Sequence, residues 1–448
     1  MSVPLVVAAV GLALLALALS VACLRQPMRV ALPLYAALIP FGERLSLGGS
    51  PFTSLGSLVG VLLGLGLLLQ LAVGRRTAPR LSPSVPIWLL FLATAAATTL
   101  WTLDLAATLS GVAVLASLIV VYVLVALSPA DRQVLRRTEN GLLAGGVAVV
   151  CYGLVQLFVL GGFPNTKTGI PVASTSGRFG NDLLGPDIES ITLLLPFLIA
   201  LNRAFSERRG RAWHGLVAAL MLLGILMTGS RAGTLAAAVV VLVLAWTAPR
   251  QVRRGLLVTF VVGGLLGAVI WVFHPAGIAD RTYASATSSS GRTDIWKVGA
   301  AACTRYCGPG AGWGTFPDVY AATQATVPGA RVLVGPQGSY QAHNLWLLIG
   351  VELGAVGLVL FVTGLVVAAA EAARIPRTLR GPPLAALVGL CVGVFFLSSM
   401  EFKFFWMVMI IIAMNRNVAE AEKLESPGPS AGSVVDGQSD VPVGVPLR

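Results

Sequence analysis

Long apolar runs recur along the whole chain and limit its fold more than any other feature of the sequence. Runs of roughly 17 to 23 residues, folded as helices, match the hydrocarbon thickness of a bilayer. Inside a bilayer the backbone polar groups must bond internally, which helices achieve. The chain is 56% hydrophobic and only 11% charged, which excludes an ordinary soluble domain. The sequence therefore predicts an all-α polytopic membrane protein.

The apolar runs predict about twelve to thirteen transmembrane helices. Two candidate segments, 29–41 and 402–415, are short, so one of them is expected to be re-entrant or tilted. The final residues are rich in Ser, Pro, Gly and acidic side chains, which predicts a disordered end. The predicted organisation is an N-terminal bundle at 1–273 with an outer loop at 162–187, a long loop at 274–342, C-terminal helices at 343–418, and a cytoplasmic tail at 419–448.

The arginines alternate between loops, and this alternation predicts the orientation of the chain. Every second loop is arginine-rich, and basic residues are retained on the cytoplasmic side. The N-terminus is then outside, the tail is cytoplasmic, and the loop 274–342 is extracytoplasmic. The net charge of +12 is therefore mainly a topology signal. Because the arginines are dispersed and form no single stripe, a nucleic-acid partner is not expected.

Two cysteines in the long outer loop, Cys303 and Cys307, lie on a side that can be oxidising. A helical spacing of four residues is usually too long for a disulfide unless the helix ends between them. The pairing stays open on the sequence alone. Metal binding by these cysteines is not expected, since no second Cys or His pair accompanies them.

Three arginines on the outer side are candidate anion ligands. Arg231 lies in a short link between two apolar segments, so its guanidinium must lie near the outer membrane surface. A snorkelling arginine that holds a tight turn is one interpretation. The other is an anion clamp, because arginine stays charged and its planar fork matches phosphate oxygens. Together with Arg292 and Arg178, it would suit the high charge of a diphosphate.

His343, one of three histidines, precedes the apolar segment that begins near residue 344. Imidazole titrates near neutrality and suits a general base. An interfacial histidine that caps the helix or meets lipid headgroups is the alternative. Glu352 lies about half a helical turn out of phase with His343, and its carboxylate in an apolar segment suggests a polar partner. Asp294 is a further outer-loop carboxylate that would be tested as a base if His343 were not one.

Three segments together resemble one family of membrane proteins. They are "TGSRAG" after a membrane helix, "GRTDIWKVG" followed by "GAGWGTF" in the long loop, and "AHNLWLLIGVELGAVGLVLF" at the start of the next helix. In order, spacing and membrane placement they resemble the O-antigen ligase and O-antigen polymerase superfamily of lipid-linked glycan transferases. The motifs cover about a fifth of the chain, and the remaining spans match only in general character.

The resemblance implies a GT-C-like glycosyltransferase of the bacterial cytoplasmic membrane with its active site on the extracytoplasmic face. It implies a polyprenyl-diphosphate-linked glycan as donor, a lipid or glycan acceptor, and catalysis without metal or cofactor. By position, Arg231 and Arg292 correspond to arginines associated with the donor diphosphate, and Arg178 corresponds more loosely. His343 corresponds to the proposed base. The family is usually described with twelve spans and a cytoplasmic N-terminus, which differs from the external N-terminus predicted here.

Several alternatives stay open at this stage. A ligase joins a finished glycan to a terminal acceptor, whereas a polymerase joins lipid-linked repeats, and no motif separates them; ligase-like transfer is favoured. A membrane transporter is the alternative of another class, although its binding site would normally lie near the bilayer midplane. Aromatic side chains of the long loop are candidate sugar platforms or simple interface anchors. The candidate platforms are Trp296, Trp313 and Tyr340, and the possible supporting site residues are Ser230, Trp296, Tyr340, Asn344 and Glu352.

Overall fold

A computed structural model describes residues 3–42, 45, 51–74, 81–163, 178–180, 182, 184–273, 292–330, 341–398 and 400–425. These residues form helices and their connections, and no β-strand occurs among them. Six helices in the described part of the chain are long and apolar enough to cross a membrane. The predicted all-α polytopic membrane fold is therefore confirmed.

The helices are numbered here in chain order. They run Val3–Arg25 (α1), Leu32–Leu38 (α2), Leu55–Ala72 (α3), Ser84–Ala97 (α4), Leu105–Ala126 (α5), Arg132–Phe158 (α6), Pro186–Thr192 (α7), Leu194–Ser206 (α8), Arg211–Met227 (α9), Arg231–Thr247 (α10), Arg250–Phe273 (α11), Arg292–Tyr306 (α12), Phe316–Thr323 (α13), Leu345–Arg374 (α14), Arg377–Phe395 (α15) and Lys403–Glu425 (α16).

The six helices with the length and composition of a membrane span are α3, α5, α6, the continuous segment Pro186–Ser206 that contains α7 and α8, α14 and α16. They become seven if the bent pair at the N-terminus is one span. Four further apolar helices in the described residues have only 10–17 residues. The prediction of about twelve to thirteen spans included these shorter segments and α11. Each predicted apolar segment coincides with a helix, and the number of membrane crossings stays a prediction.

The chain reverses direction after α1. A π-helical turn at Pro27–Ala31 leads into α2, and the helix direction bends by 118° across the break. Pro27 suits this position because its missing N–H would be unbonded in a first helical turn anyway. The sharp bend agrees with the predicted re-entrant or tilted second segment.

A cluster of aromatic side chains joins α4, α14 and α16 in the core. The Trp88 and Trp406 ring centroids lie 5.4 Å apart, and Phe405 packs on both rings. Gly364 of α14 faces Trp88 so closely that a Cβ there would lie 2.7 Å from the indole. Close helix packing against this cluster gives the later segments of the chain a rigid base.

Two short helices, α12 and α13, lie within the predicted outer loop. α12 ends at Tyr306, directly before Cys307, and Cys303 and Cys307 form a disulfide. The helix therefore ends between the two cysteines, which is the condition under which a spacing of four residues allows a disulfide. At the other end of the chain, α16 continues to Glu425, beyond residue 419 where the tail was predicted to begin; residues 426–448 lie outside the described part.

Candidate functional site

Two arginines that are distant in sequence meet at one carboxylate. A guanidinium nitrogen of Arg178 lies 3.0 Å from one carboxylate oxygen of Asp187, and a nitrogen of Arg292 lies 2.6 Å from the other. All three side chains are about four-fifths buried. Since charge-assisted pairs of this kind are strong when water is largely excluded, Asp187 holds the two cations at a defined separation.

The start of α7 places Asp187 where both arginines can reach it. Gly185, with φ of 90°, and Pro186 begin the helix, and Asp187 lies in its first turn. A carboxylate is favourable at this end of a helix because the backbone N–H groups there carry partial positive charge. Glu189, Ser190, Ile191 and Thr192 of this helix are buried, so its position is determined by packing.

The turn between α9 and α10 forms the second side of the site. The Nε of Arg178 donates a 2.6 Å hydrogen bond to the Thr228 carbonyl, and Gly229 follows with φ of 60°. Ser230 is the N-cap of α10: its hydroxyl accepts from the Gly233 N–H and also hydrogen-bonds to Asp187. The turn is thereby tied both to Arg178 and to its carboxylate partner.

Arg231 begins α10 directly after Ser230, and its side chain is exposed. Arg178 and Arg292 pair with Asp187, and Arg231 directly follows Ser230, which hydrogen-bonds to the same carboxylate. Arg178, Arg231 and Arg292 are here called the arginine cluster, and with Asp187 they carry a summed charge of about +2. A strongly positive, partly buried cluster of this type can bind a multiply charged anion such as a diphosphate.

His343 has an unusual backbone conformation. Its φ is +47°, and it is the one non-glycine residue with positive φ in the described part of the chain. The left-handed region is unfavourable for a side chain with a Cβ, and such strain is often found at functional positions. The following residue, Asn344, is the N-cap of α14 and accepts a 3.0 Å hydrogen bond from the Leu347 N–H. His343 is therefore held in a defined turn before α14.

The electrostatic surroundings of His343 connect it to the arginine cluster. Burial lowers the pKa of the imidazole from its ordinary value of 6.5, and the positive charge of Arg292 lowers it further. The carboxylate of Asp187 opposes this by raising the same pKa. Because the net direction is downward, the imidazole is neutral at pH 7 and can accept a proton.

Trp296 of α12 supports the backbone beside His343. Its indole N–H donates a 3.0 Å hydrogen bond to the Ala342 carbonyl, and its ring packs edge-on against Phe395. Arg292 lies one helical turn earlier in α12. The helix thus carries a cation toward Asp187 and an anchor for the residue that precedes His343. The predicted platform Tyr340 lies outside the described residues.

The carboxylate of Glu352 bonds to the glycine-rich loop 308–316 and not to the residues around Asp187. Its two carboxylate oxygens accept hydrogen bonds of 2.9 Å from the backbone N–H groups of Gly314 and Phe316. Gly354, with φ of 68°, kinks α14 just beyond it and leaves room for the Gly308 carbonyl, which accepts from the Ala355 N–H. The carboxylate suggested by the sequence therefore has the expected polar partner, and it holds the glycine-rich loop against α14.

The glycine-rich loop places Trp313 in the core. Its side chain is 1% exposed and packs edge-on against Phe91, with ring centroids 6.0 Å apart. Its backbone N–H donates to the hydroxyl of Thr98. The suggestion that Trp313 stacks on a sugar is wrong for this structure, because its ring is buried between helices and no face of it is open to a ligand. Burial of so large an apolar ring is more favourable than its exposure at the surface. The alternative base Asp294 is buried in the first turn of α12.

Asp187, the carboxylate shared by Arg178 and Arg292, was not among the predicted site residues. The only local signal was an acidic residue after a Gly-Pro pair, at the start of a strongly apolar segment. Two residues later, Glu189 is fully buried and neither of its carboxylate oxygens has a hydrogen-bond partner among the described residues. Within the described ranges, no group of three or more His, Cys, Asp or Glu side chains is placed to hold a metal ion.

The comparison with family models gives a match over part of the chain. Residues 216–362 match the model described as O-antigen ligase. This range includes Arg231, Arg292 and His343, and it begins after Arg178 and Asp187. A comparison with curated proteins gives no match. The family match supports the resemblance seen in the three motifs, and the chain is a multi-pass membrane protein in which residues 216–362 resemble O-antigen ligases.

Proposed function

We propose that this chain is a glycosyltransferase that moves a glycan from a polyprenyl-diphosphate carrier to an acceptor hydroxyl. The reaction would take place at the outer face of a bacterial cytoplasmic membrane. The observation that carries the proposal is the convergence of Arg178 and Arg292 on Asp187, with His343 in electrostatic range of this cluster. The family match supports the reaction class, and its description favours ligase-like transfer over polymerisation.

The arginines would bind the donor diphosphate and stabilise it as a leaving group. Bidentate guanidinium contacts suit phosphate oxygens, and Asp187 keeps two of the guanidinium groups in place before the donor arrives. As the bond from the anomeric carbon to the diphosphate oxygen breaks, that oxygen takes the electron pair. Preorganised cations stabilise this developing charge without reorganisation at the moment of reaction.

His343 would act as the general base toward the acceptor. Its neutral imidazole would accept the hydroxyl proton while the acceptor oxygen forms a bond to the anomeric carbon. A single displacement of this kind inverts the anomeric centre. The diphosphate is already a good leaving group, so the proposed mechanism includes no general acid and no metal.

A transfer assay tests this proposal. A purified polyprenyl-diphosphate glycan is offered with candidate acceptors to the wild type, to His343→Ala and to His214→Ala in the same nanodisc preparation. His214, at the start of α9, is a matched control because about 21 Å of helix separates it from Thr228 at the other end of α9. Loss of about a hundredfold or more in turnover is expected for His343→Ala alone. Equal turnover in all three proteins would refute the role of His343, and no transfer by the wild type to any acceptor would argue against the reaction class.

Activity with and without a chelator tests the metal-free mechanism separately. We expect the same transfer rate in the presence of EDTA. Inhibition that is reversed by a divalent ion would contradict this part of the proposal.

A further inference from the structure

A second basic site lies at the point where the chain reverses after α1. An open cavity of about 540 Å³ is bordered there by the end of α1, the π-helical turn, α3, the start of α6 and α16. Arg25 and Arg29 lie on its rim, and buried apolar side chains, among them Met28 and Val134, form its floor. This volume is large enough for a lipid headgroup.

The cavity lies at the membrane surface opposite the arginine cluster. α6 begins beside it, since Val134 lines the cavity. Eighteen residues later in the same helix, the Tyr152 hydroxyl donates to Asp182, which belongs to the segment between Arg178 and Asp187. At a rise of 1.5 Å per residue the two ends are roughly 27 Å apart, which is close to one hydrocarbon thickness. The cavity therefore takes no part in the proposed transfer reaction.

The positive charge of the two rim arginines is only weakly neutralised by neighbouring carboxylates. Arg29 lies 3.7 Å from Asp131, and both side chains are more than half exposed, so this ion pair is weak. Arg25 has an exposed side chain, and its carbonyl is held by a 3.2 Å hydrogen bond from the Gln70 amide. Two arginines facing one carboxylate leave a net positive rim, which attracts the phosphate of an anionic lipid.

An apolar strip leads away from Arg25 along α1. Three apolar residues precede Arg25 at spacings of three and four and share its face of the helix. They are Val21, Leu17 and Leu14, which are 39%, 61% and 61% exposed. An acyl chain can lie along this face while the headgroup phosphate meets the arginines. A free phosphate ion would gain only the second of these interactions.

We propose that this cavity binds the headgroup of an anionic phospholipid, with the acyl chains along α1. The charge of the rim selects an anionic over a zwitterionic headgroup. The apolar strip selects a lipid over a soluble phosphate.

Native mass spectrometry of the full-length protein with added lipid tests the proposal. Phosphatidylglycerol should bind the wild type at least about fivefold more tightly than phosphatidylcholine, since each juxtamembrane arginine adds about fivefold to binding. The double variant Arg25→Gln, Arg29→Gln should lose about tenfold or more of this binding, whereas the double Lys variant should keep most of it. Arg209→Gln is the matched control, because this exposed arginine lies in another basic loop.

Three results would overturn the proposal. Equal binding of the two lipids by the wild type would remove the headgroup selectivity. Wild-type lipid binding by the Gln double variant, with an unchanged melting temperature, would remove the arginines from the site. Displacement of phosphatidylglycerol by an equal concentration of inorganic phosphate would assign the cavity to a free anion.

Discussion

The guanidinium of Arg292 lies 2.6 Å from the carboxylate of Asp187, although 105 positions separate the two residues in the chain. This pair joins the first turn of α12 to the first turn of α7. Because Arg178 occupies the other oxygen of the same carboxylate, Asp187 determines how far apart the two cations lie. Asp187 is therefore a positioning residue for the proposed diphosphate site.

Replacing Asp187 by Asn tests this role. The amide keeps the size of the side chain but removes the charge that holds both arginines. We expect transfer to fall at least about tenfold and the free energy of unfolding to fall by about 1–3 kcal/mol, since the pair is partly buried. Donor turnover and thermal unfolding measure the two effects. Asp318→Asn makes the same change in the first turn of α13, on an exposed residue, and should alter neither.

Arg231 and Arg178 should respond differently to replacement by Gln. Arg231 is exposed at the start of α10, so its loss should change the unfolding free energy by no more than about 0.5 kcal/mol. Arg178 bonds to Asp187 and to the Thr228 carbonyl, so its loss should also destabilise the protein, by about 1–3 kcal/mol. Both variants should lose donor turnover. If Arg231→Gln kept the full rate, Arg231 would be a snorkelling residue only.

The pH dependence of transfer should report on His343. A base must be deprotonated, so the rate should rise with pH and level off at neutrality, with an apparent pKa below 6.5. Arg292 lowers the imidazole pKa and Asp187 raises it. The acidic limb of the profile should therefore move to higher pH in Arg292→Gln and to lower pH in Asp187→Asn. Residual rates at saturating donor give these profiles, and shifts in the same direction for both variants would contradict the electrostatic assignment.

Glu352 provides a contrast with the residues around Asp187. Glu352→Ala removes the acceptor of two buried N–H groups, those of Gly314 and Phe316, and should destabilise the protein by about 2–4 kcal/mol. Glu352→Gln keeps one acceptor oxygen and should show a smaller loss. Transfer per folded molecule should stay within a few-fold of the wild type in the Gln variant. A Gln variant that folds normally but is inactive would instead place Glu352 in the reaction.

The sequence was informative about the positions of helices and less informative about which distant side chains contact one another. Apolar periodicity and length predicted segments such as α5 and α14, because these properties are local. The contact between Arg292 and Asp187 depends on how distant segments pack, which no local pattern reports. Trp313 illustrates the same limit: an aromatic residue in a glycine-rich loop suits a sugar platform, but the kink at Gly354 lets the loop dock against α14 and bury the ring.

The backbone of His343 allows its structural and chemical roles to be separated. At φ of +47° a residue with a Cβ is strained by about 1–2 kcal/mol, and glycine adopts this conformation without that strain. His343→Gly should therefore keep or raise the melting temperature, although the gain is reduced by the greater freedom of glycine in the unfolded chain. The same variant should lose transfer, since it lacks the proposed base. Thermal unfolding and donor turnover measured on one preparation distinguish the possibilities: a stable, inactive variant supports a base, whereas a stable, active variant makes His343 an interface residue.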